Sequence, residues 1–222
     1  MEIIITLNKR KILVTGSAGF IGMHLCKRLL DESVNVLGID SMNDYYDLTL
    51  KQDRIKQLQE YKTFKFLKLN LCDFESLELA FKSYNPDIVV NLAAQAGVKL
   101  SIKQPDLYIH ANIMGFMNIL ECCRKFSTKK LVYASSSSVY GNNDKIPFSI
   151  NDIVNKPISI YATSKISNEL MSYTYSHLFG LHTIGLRYFT VYGPWGRPDM
   201  SYYIFCEKIK SGRPITVYNH GN

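Results

Sequence analysis

KILVTGSAGFIG, residues 11–22, joins a short apolar run to three spaced glycines and then to the start of a helical pattern. A strand, a turn that needs missing side chains at Gly16, Gly19 and Gly22, and a helix together have the form of a nucleotide-binding βα unit. A helix opening at that turn points unpaired amides and partial positive charge at it, which binds a pyrophosphate without requiring a lysine. The next strand-like run, VNVLGID (34–40), ends on Asp40, about where an acidic residue accepts hydrogen bonds from an adenosine ribose. An aspartate there argues for NAD and against NADP.

Outward from this unit the chain keeps alternating. Leu48 to Tyr61 reads as helix, FKFLKLN (64–70) as strand, Phe74 to Tyr84 as helix and PDIVVNLAA (86–94) as a buried strand. Pro105 opens a long helix to about Phe126, KLVYASS (130–136) is a strand, Tyr161 to Phe179 a helix and HTIGLRYF (182–189) another strand. Gly141 to Ile160, with its prolines, asparagines and aspartates, is the long loop. Such alternation predicts an α/β protein: a Rossmann-type, doubly wound parallel sheet with helices on both faces.

Composition bounds the partners. The 222 residues are 46% apolar, no stretch has the length of a membrane span, and the opening MEIIITLNKRK does not have the order of a signal peptide, so a globular cytoplasmic protein without membrane insertion is expected. The net charge of +7 suits anionic ligands, whether phosphates, nucleic acid or a membrane surface. Its lysines and arginines are dispersed in groups such as KRK (9–11), with no stripe on one helix face, which is also how ordinary solvated lysines are spread. Nucleic acid is therefore not expected as a partner. Five cysteines lack CxxC spacing and the histidines lack ligand spacing, so no metal is expected.

A second cluster is YATSK, residues 161–165. Tyr161 and Lys165 are four apart and share one face of a helix. A free phenol ionises near about 10, and a nearby ammonium would favour the phenolate, making tyrosine a usable proton acceptor around neutrality. Tyrosine and lysine at this spacing also occur by chance on many helices.

Taken in order, TGSAGFIG, Asp40, LCD (71–73), NLAAQAGV (91–98), ANIMG (111–115), SSSSVYG (135–141), YATSK and GLRYFTVYGPWGRPDM (185–200) resemble the extended short-chain dehydrogenase/reductase family. The resemblance covers nearly the whole chain and is narrowest to the NAD-dependent nucleotide-sugar epimerases. DYYDLTLKQDRI (44–55), AAQAGV (93–98) and TVYGPWGRPDM (190–200) look most like the UDP-glucuronate 4-epimerases of polysaccharide biosynthesis.

The resemblance implies roles for individual residues. Tyr161 would be the catalytic base, Ser136 would hydrogen-bond the reacting sugar hydroxyl, and Lys165 would hold the nicotinamide ribose and lower the Tyr161 pKa. Gly16, Ala18, Gly19, Phe20, Ile21 and Gly22 would pass the pyrophosphate, and Asp40 the adenosine ribose. Asp73, with Leu71 or Cys72, would lie near the adenine, and Ala93, Ala94, Lys99 and Tyr188 along the rest of the dinucleotide. Ser136, Ser137, Ser138, Tyr161, Phe189, Thr190 and Arg197 would face the sugar and its diphosphate, and Asn112 would organise the backbone behind them. The implied reaction takes the C4 hydride and hydroxyl proton from a UDP-sugar and returns the hydride to the other face of the 4-keto sugar, with no net oxidation. A homodimer through paired long helices is implied as well.

Sister enzymes that dehydrate or decarboxylate their sugars keep acids where this chain has Ser137 and Ser138. Without a carboxylic acid to protonate a leaving hydroxyl, dehydration lacks its general acid. Hydroxyls there would instead accommodate a uronate carboxylate without charge repulsion. A neutral UDP-glucose or UDP-N-acetylglucosamine remains the alternative substrate, and the two serines as mere small residues at a strand end the alternative role. Residues 1–190 are expected to form the NAD-binding domain and 191–222 the start of a substrate lobe. Relatives continue past NHG (219–221) with an Arg-Asp segment that grips the diphosphate, so the lobe is expected to be incomplete and a truncated, NAD-binding but inactive protein is the rival reading.

Overall fold

The structure, a computed structural model, describes residues 10–217. The opening residues 1–9 and the NHG stretch at 219–221 lie outside the described residues. Six strands, β1 (Lys11–Thr15), β2 (Asn35–Asp40), β3 (Phe64–Lys68), β4 (Ile88–Asn91), β5 (Lys130–Ser136) and β6 (His182–Tyr188), form one sheet in the order β3-β2-β1-β4-β5-β6. Every neighbouring pair is parallel. The order reverses between β1 and β4, and in open α/β sheets ligands bind outside the carboxyl ends of the strands at such a reversal.

Helices cover both faces, as the alternation predicts. Side chains of a strand alternate between faces, and here Ile12, Val14 and Val36 pack with Met23, Cys26 and Leu30 of α1 (Phe20–Asp31) and Ile55 and Leu58 of α2 (Leu48–Gln59). Leu13, Leu37 and Ile39 point the other way, against Leu77 and Phe81 of α3 (Phe74–Tyr84) and Phe116, Ile119 and Leu120 further along. Burying both faces explains why β1 and β2 read as almost unbroken apolar runs.

Not every helix was expected. α4 (Val98–Lys103) follows the strand end at β4, which stops at Asn91 and leaves Leu92 to Ala94 as irregular backbone. The long helix expected from Pro105 is built in three parts: α5 (Pro105–Tyr108), a π-helical stretch (Ile109–Met114) and α6 (Gly115–Lys125). In the π stretch the buried Asn112 accepts from the Gln95 amide at 2.7 Å and donates to the Gln95 carbonyl at 3.0 Å and to Ser164 Oγ at 3.0 Å. It thereby satisfies the irregular backbone after β4. The helix α7 (Ile160–Phe179) is capped by Ser159, which accepts from the Ala162 amide at 3.0 Å. After β6 the chain leaves the sheet and forms α8 (Ser201–Lys210), none of whose residues is buried.

Candidate active site

The glycine turn is shaped by space. Gly16 has φ +70°, and a Cβ on it would come within 2.7 Å of the Ala93 amide nitrogen; one on Gly22 would lie 2.0 Å from the Gly16 carbonyl oxygen. The turn, the first helix turn and the end of β4 therefore approach closer than any side chain permits. Gly19 caps α1 without a side-chain hydrogen bond, leaving its first amides open toward the turn. Asp40 receives the Ala18 amide at 3.1 Å on one carboxylate oxygen and the Met42 amide at 2.9 Å on the other, and each oxygen retains a second lone pair.

A cavity of about 930 Å³ opens at the carboxyl ends of the strands. Of the residues expected for a dinucleotide, Gly16, Gly19, Phe20, Ile21, Gly22, Asp40, Leu71, Ala93, Ala94, Lys99 and Tyr188 line it. Three do not. Ala18 is fully buried and reaches the site only through its amide bond to Asp40. Cys72 turns its Sγ to the His110 carbonyl oxygen at 3.1 Å, and Asp73 caps α3 by accepting from the Ser76 amide at 3.1 Å. Of the Leu71 and Cys72 alternatives, it is Leu71 that faces the cavity. All the residues expected on the sugar side, Ser136, Ser137, Ser138, Tyr161, Phe189, Thr190 and Arg197, line the same cavity.

Ser136 and Tyr188 are paired across β5 and β6, which sets both at the rim. The Ser136 Oγ accepts from the Ser138 amide at 3.1 Å, capping the 3₁₀ turn Ser137–Tyr140 and leaving its own hydrogen for another acceptor. Behind it Ser135 donates to Glu169, which is held by Arg187 at 3.0 and 2.8 Å. Tyr161 and Lys165 reach the cavity from the first turns of α7, and Tyr108 meets the Tyr161 ring edge-on at 6.1 Å between centroids.

The electrostatics differ from expectation. Burial pushes the Tyr161 phenol above its ordinary value, opposed by the Ser136 hydroxyl and the Arg197 charge. Lys165 is turned toward β5. The Lys165 amine is buried and donates to the Ala134 carbonyl oxygen at 2.9 Å, and desolvation pushes its pKa down to about 8.

Several cavity residues carried no assignment in the sequence. Tyr45, Tyr46 and Lys51 form one wall, and Asp199 grips Arg197 through two bonds of 3.0 and 2.6 Å. The signal for this wall lay in α2, where Lys51 and Arg54 stand with Ile55 and Leu58 at i, i+3, i+4 and i+7, basic residues on what the period marks as the buried stripe. Among the described residues, no His, Cys, Asp and Glu group could hold a metal ion, and no helix is long and apolar enough to cross a membrane.

Residues 12–222 match the family described as the NAD dependent epimerase/dehydratase family. The chain belongs to that family. Within it, the chain is 55% identical over 212 residues to Protein CapI of Staphylococcus aureus, covering 96% of this chain and 63% of that protein. It is 46% identical over 211 residues to a probable UDP-glucuronate 4-epimerase of Rhizobium meliloti, covering 95% and 62%. The structure resembles the UDP-glucuronic acid 4-epimerase of Bacillus cereus, solved with UDP-glucuronic acid and NAD, with TM-score 0.88 and 36% identity over 94% of this chain and 65% of that one. The chain thus spans less than two thirds of these relatives' length.

Proposed function

We propose that this protein takes part in the NAD-dependent 4-epimerisation of a UDP-sugar, with UDP-glucuronate and UDP-galacturonate as the interconverted pair. The observation that carries the reading is the convergence of Tyr161, Ser136, Ser137 and Ser138 at the strand end opposite a glycine cradle in one cavity. The named relatives and the solved neighbour support the same substrate class.

The residues present fit NAD: the cradle has no room for side chains, the α1 amides are open, and Asp40 offers lone pairs where a ribose would lie. NAD, when bound, supplies hydride acceptance and return, so the sugar ends without net oxidation. Tyr161 Oη takes and returns the C4 hydroxyl proton, and Ser136 donates its hydrogen to hold that hydroxyl against the phenol. Ser137 and Ser138 receive the uronate carboxylate by donating to it, without the repulsion an acid would bring. Arg197 lies on the diphosphate side of this reading.

Purified protein incubated with NAD and, separately, UDP-glucuronate, UDP-glucose and UDP-N-acetylglucosamine tests this. Conversion of the uronate in preference to the neutral sugars is expected. NAD retention with no conversion of any of them favours the rival reading of an NAD-binding but inactive protein. A homodimer is part of the proposal, supported by the exposed Leu170, Tyr173 and Leu178 along α7.

A further inference from the structure

Arg54 heads the fully buried side chains by size, yet among the described residues it meets no carboxylate. Its guanidinium is divided between two distant stretches of backbone. Nη1 donates to the Ala18 carbonyl oxygen of the glycine turn at 3.0 Å and to the Tyr46 hydroxyl at 2.6 Å. Nη2 donates to the Trp195 carbonyl oxygen at 2.5 Å and to that of Gly196 at 3.3 Å. The Tyr46 ring centroid lies 5.5 Å from its Cζ. Burying a cation against neutral acceptors costs desolvation that no ion pair offsets. A planar fork with five donors can bridge two segments in this way, whereas an ammonium cannot span both.

The second segment is itself held in a costly shape. Trp195 has φ +63°, a left-handed conformation that costs a non-glycine residue on the order of 1–3 kcal/mol and persists only where the surroundings impose it. The His24 ring adds a second fastening, at 2.9 Å from the Pro194 carbonyl oxygen. Immediately downstream Arg197 is gripped by Asp199, whose other contact is the Tyr45 hydroxyl at 3.1 Å. The 44–55 stretch thus supplies both the bolt at 195–196 and the stop at 199.

We propose that Arg54 is a positioning residue for the substrate end of the cavity, fastening the segment that carries Arg197 to the glycine turn through Ala18. Seating of the dinucleotide at that turn and affinity for the sugar nucleotide at Arg197 are thereby coupled. The inference rests on the proposed reading of Arg197 as substrate-facing.

Two measurements test it, on Arg54→Met and Arg54→Lys. Amide hydrogen exchange at Trp195, Gly196 and Arg197 should accelerate at least about tenfold in Arg54→Met while the amides of β1 and β5 keep their protection. The UDP-glucuronate KM should rise about tenfold with kcat within about twofold, and Arg54→Lys should fall between, since it keeps the charge and one of the two attachments. A folded Arg54→Met with unchanged exchange and KM, or with a loss confined to kcat, overturns the inference. Should Arg54→Met not fold, His24→Ala loosens the same segment from the surface and should move exchange and KM the same way by about twofold to threefold; wild-type values there overturn it. Failure of the wild type to convert UDP-glucuronate counts against the proposed function instead, and the exchange rates then decide the fastening by themselves.

Discussion

The Lys165 Nζ lies 2.9 Å from the carbonyl oxygen of Ala134, two residues ahead of Ser136 on the same strand. An amine held there is tied to the strand that presents the candidate substrate hydroxyls and, among the described residues, has no charged partner to offset its burial, which pushes its pKa down to about 8. Between pH 8 and the unfolded value near 10.5, the unfolded chain holds a proton that the folded chain has released. Raising the pH through that window therefore favours the folded state, and below it the burial penalty stands in full. Denaturant titrations from pH 7 to 11 should show the wild type gaining about 3 kcal/mol relative to Lys165→Met. Parallel curves for the two proteins would show that Lys165 is not buried as a cation.

Tyr161 faces Ser136 and Arg197, which hold its phenol back from the full effect of burial. Tyr161→Phe removes the proposed proton acceptor and little else. Turnover of UDP-glucuronate should fall by roughly 10²- to 10⁴-fold, with NAD affinity unchanged. Wild-type turnover in this variant would move the base elsewhere.

Gly22 has the Gly16 carbonyl oxygen 2.0 Å from where a Cβ would stand. Gly22→Ala must push the turn away from the first turn of α1, which costs about 1–3 kcal/mol of stability. NAD affinity should drop with it. Calorimetry showing wild-type binding and melting would mean that the turn adapts without loss.

Asp40 ties its carboxylate to the Ala18 and Met42 amides. Asp40→Ala removes both the candidate ribose acceptor and this bracing, so the NAD dissociation constant should rise about tenfold to a hundredfold, by the measure of a hydrogen bond to a charged group. An unaltered constant in a fluorescence titration would place the ribose contact elsewhere.

Ser137 and Ser138 open the 3₁₀ turn at the cavity. Replacing both by alanine should raise the KM for UDP-glucuronate more than that for UDP-glucose, by at least about a hundredfold if each hydroxyl contributes one bond to a carboxylate. Equal losses for the two sugars would leave the serines without a part in choosing a uronate.

The glycine turn, the alternation of strands and helices, Asp40 and the Tyr161–Lys165 pair were legible in the sequence because each is a local matter of period, backbone space or one helix face. The break of the long helix at Ile109–Met114 was not, since it follows from the demand of the Gln95 backbone for Asn112 across the fold. Nor was the direction of the Tyr161 shift. Spacing puts Lys165 on the same face, but only the position of β5 sends its amine to Ala134.

The sequence by itself determined that a parallel sheet would carry a dinucleotide turn, because the hydrophobic period and the missing Cβ atoms leave few other folds, while a tyrosine beside serines was what the family resemblance implied. The tertiary structure alone decided which charges act on one another. Arg54 and Trp195 stand 141 positions apart, as do no two partners that a periodicity can register, and what joins them is the closing of α2 and the segment after β6 over one cavity. Burial then sets the strength of each charge there, and burial belongs to the folded chain and to no stretch of it taken singly.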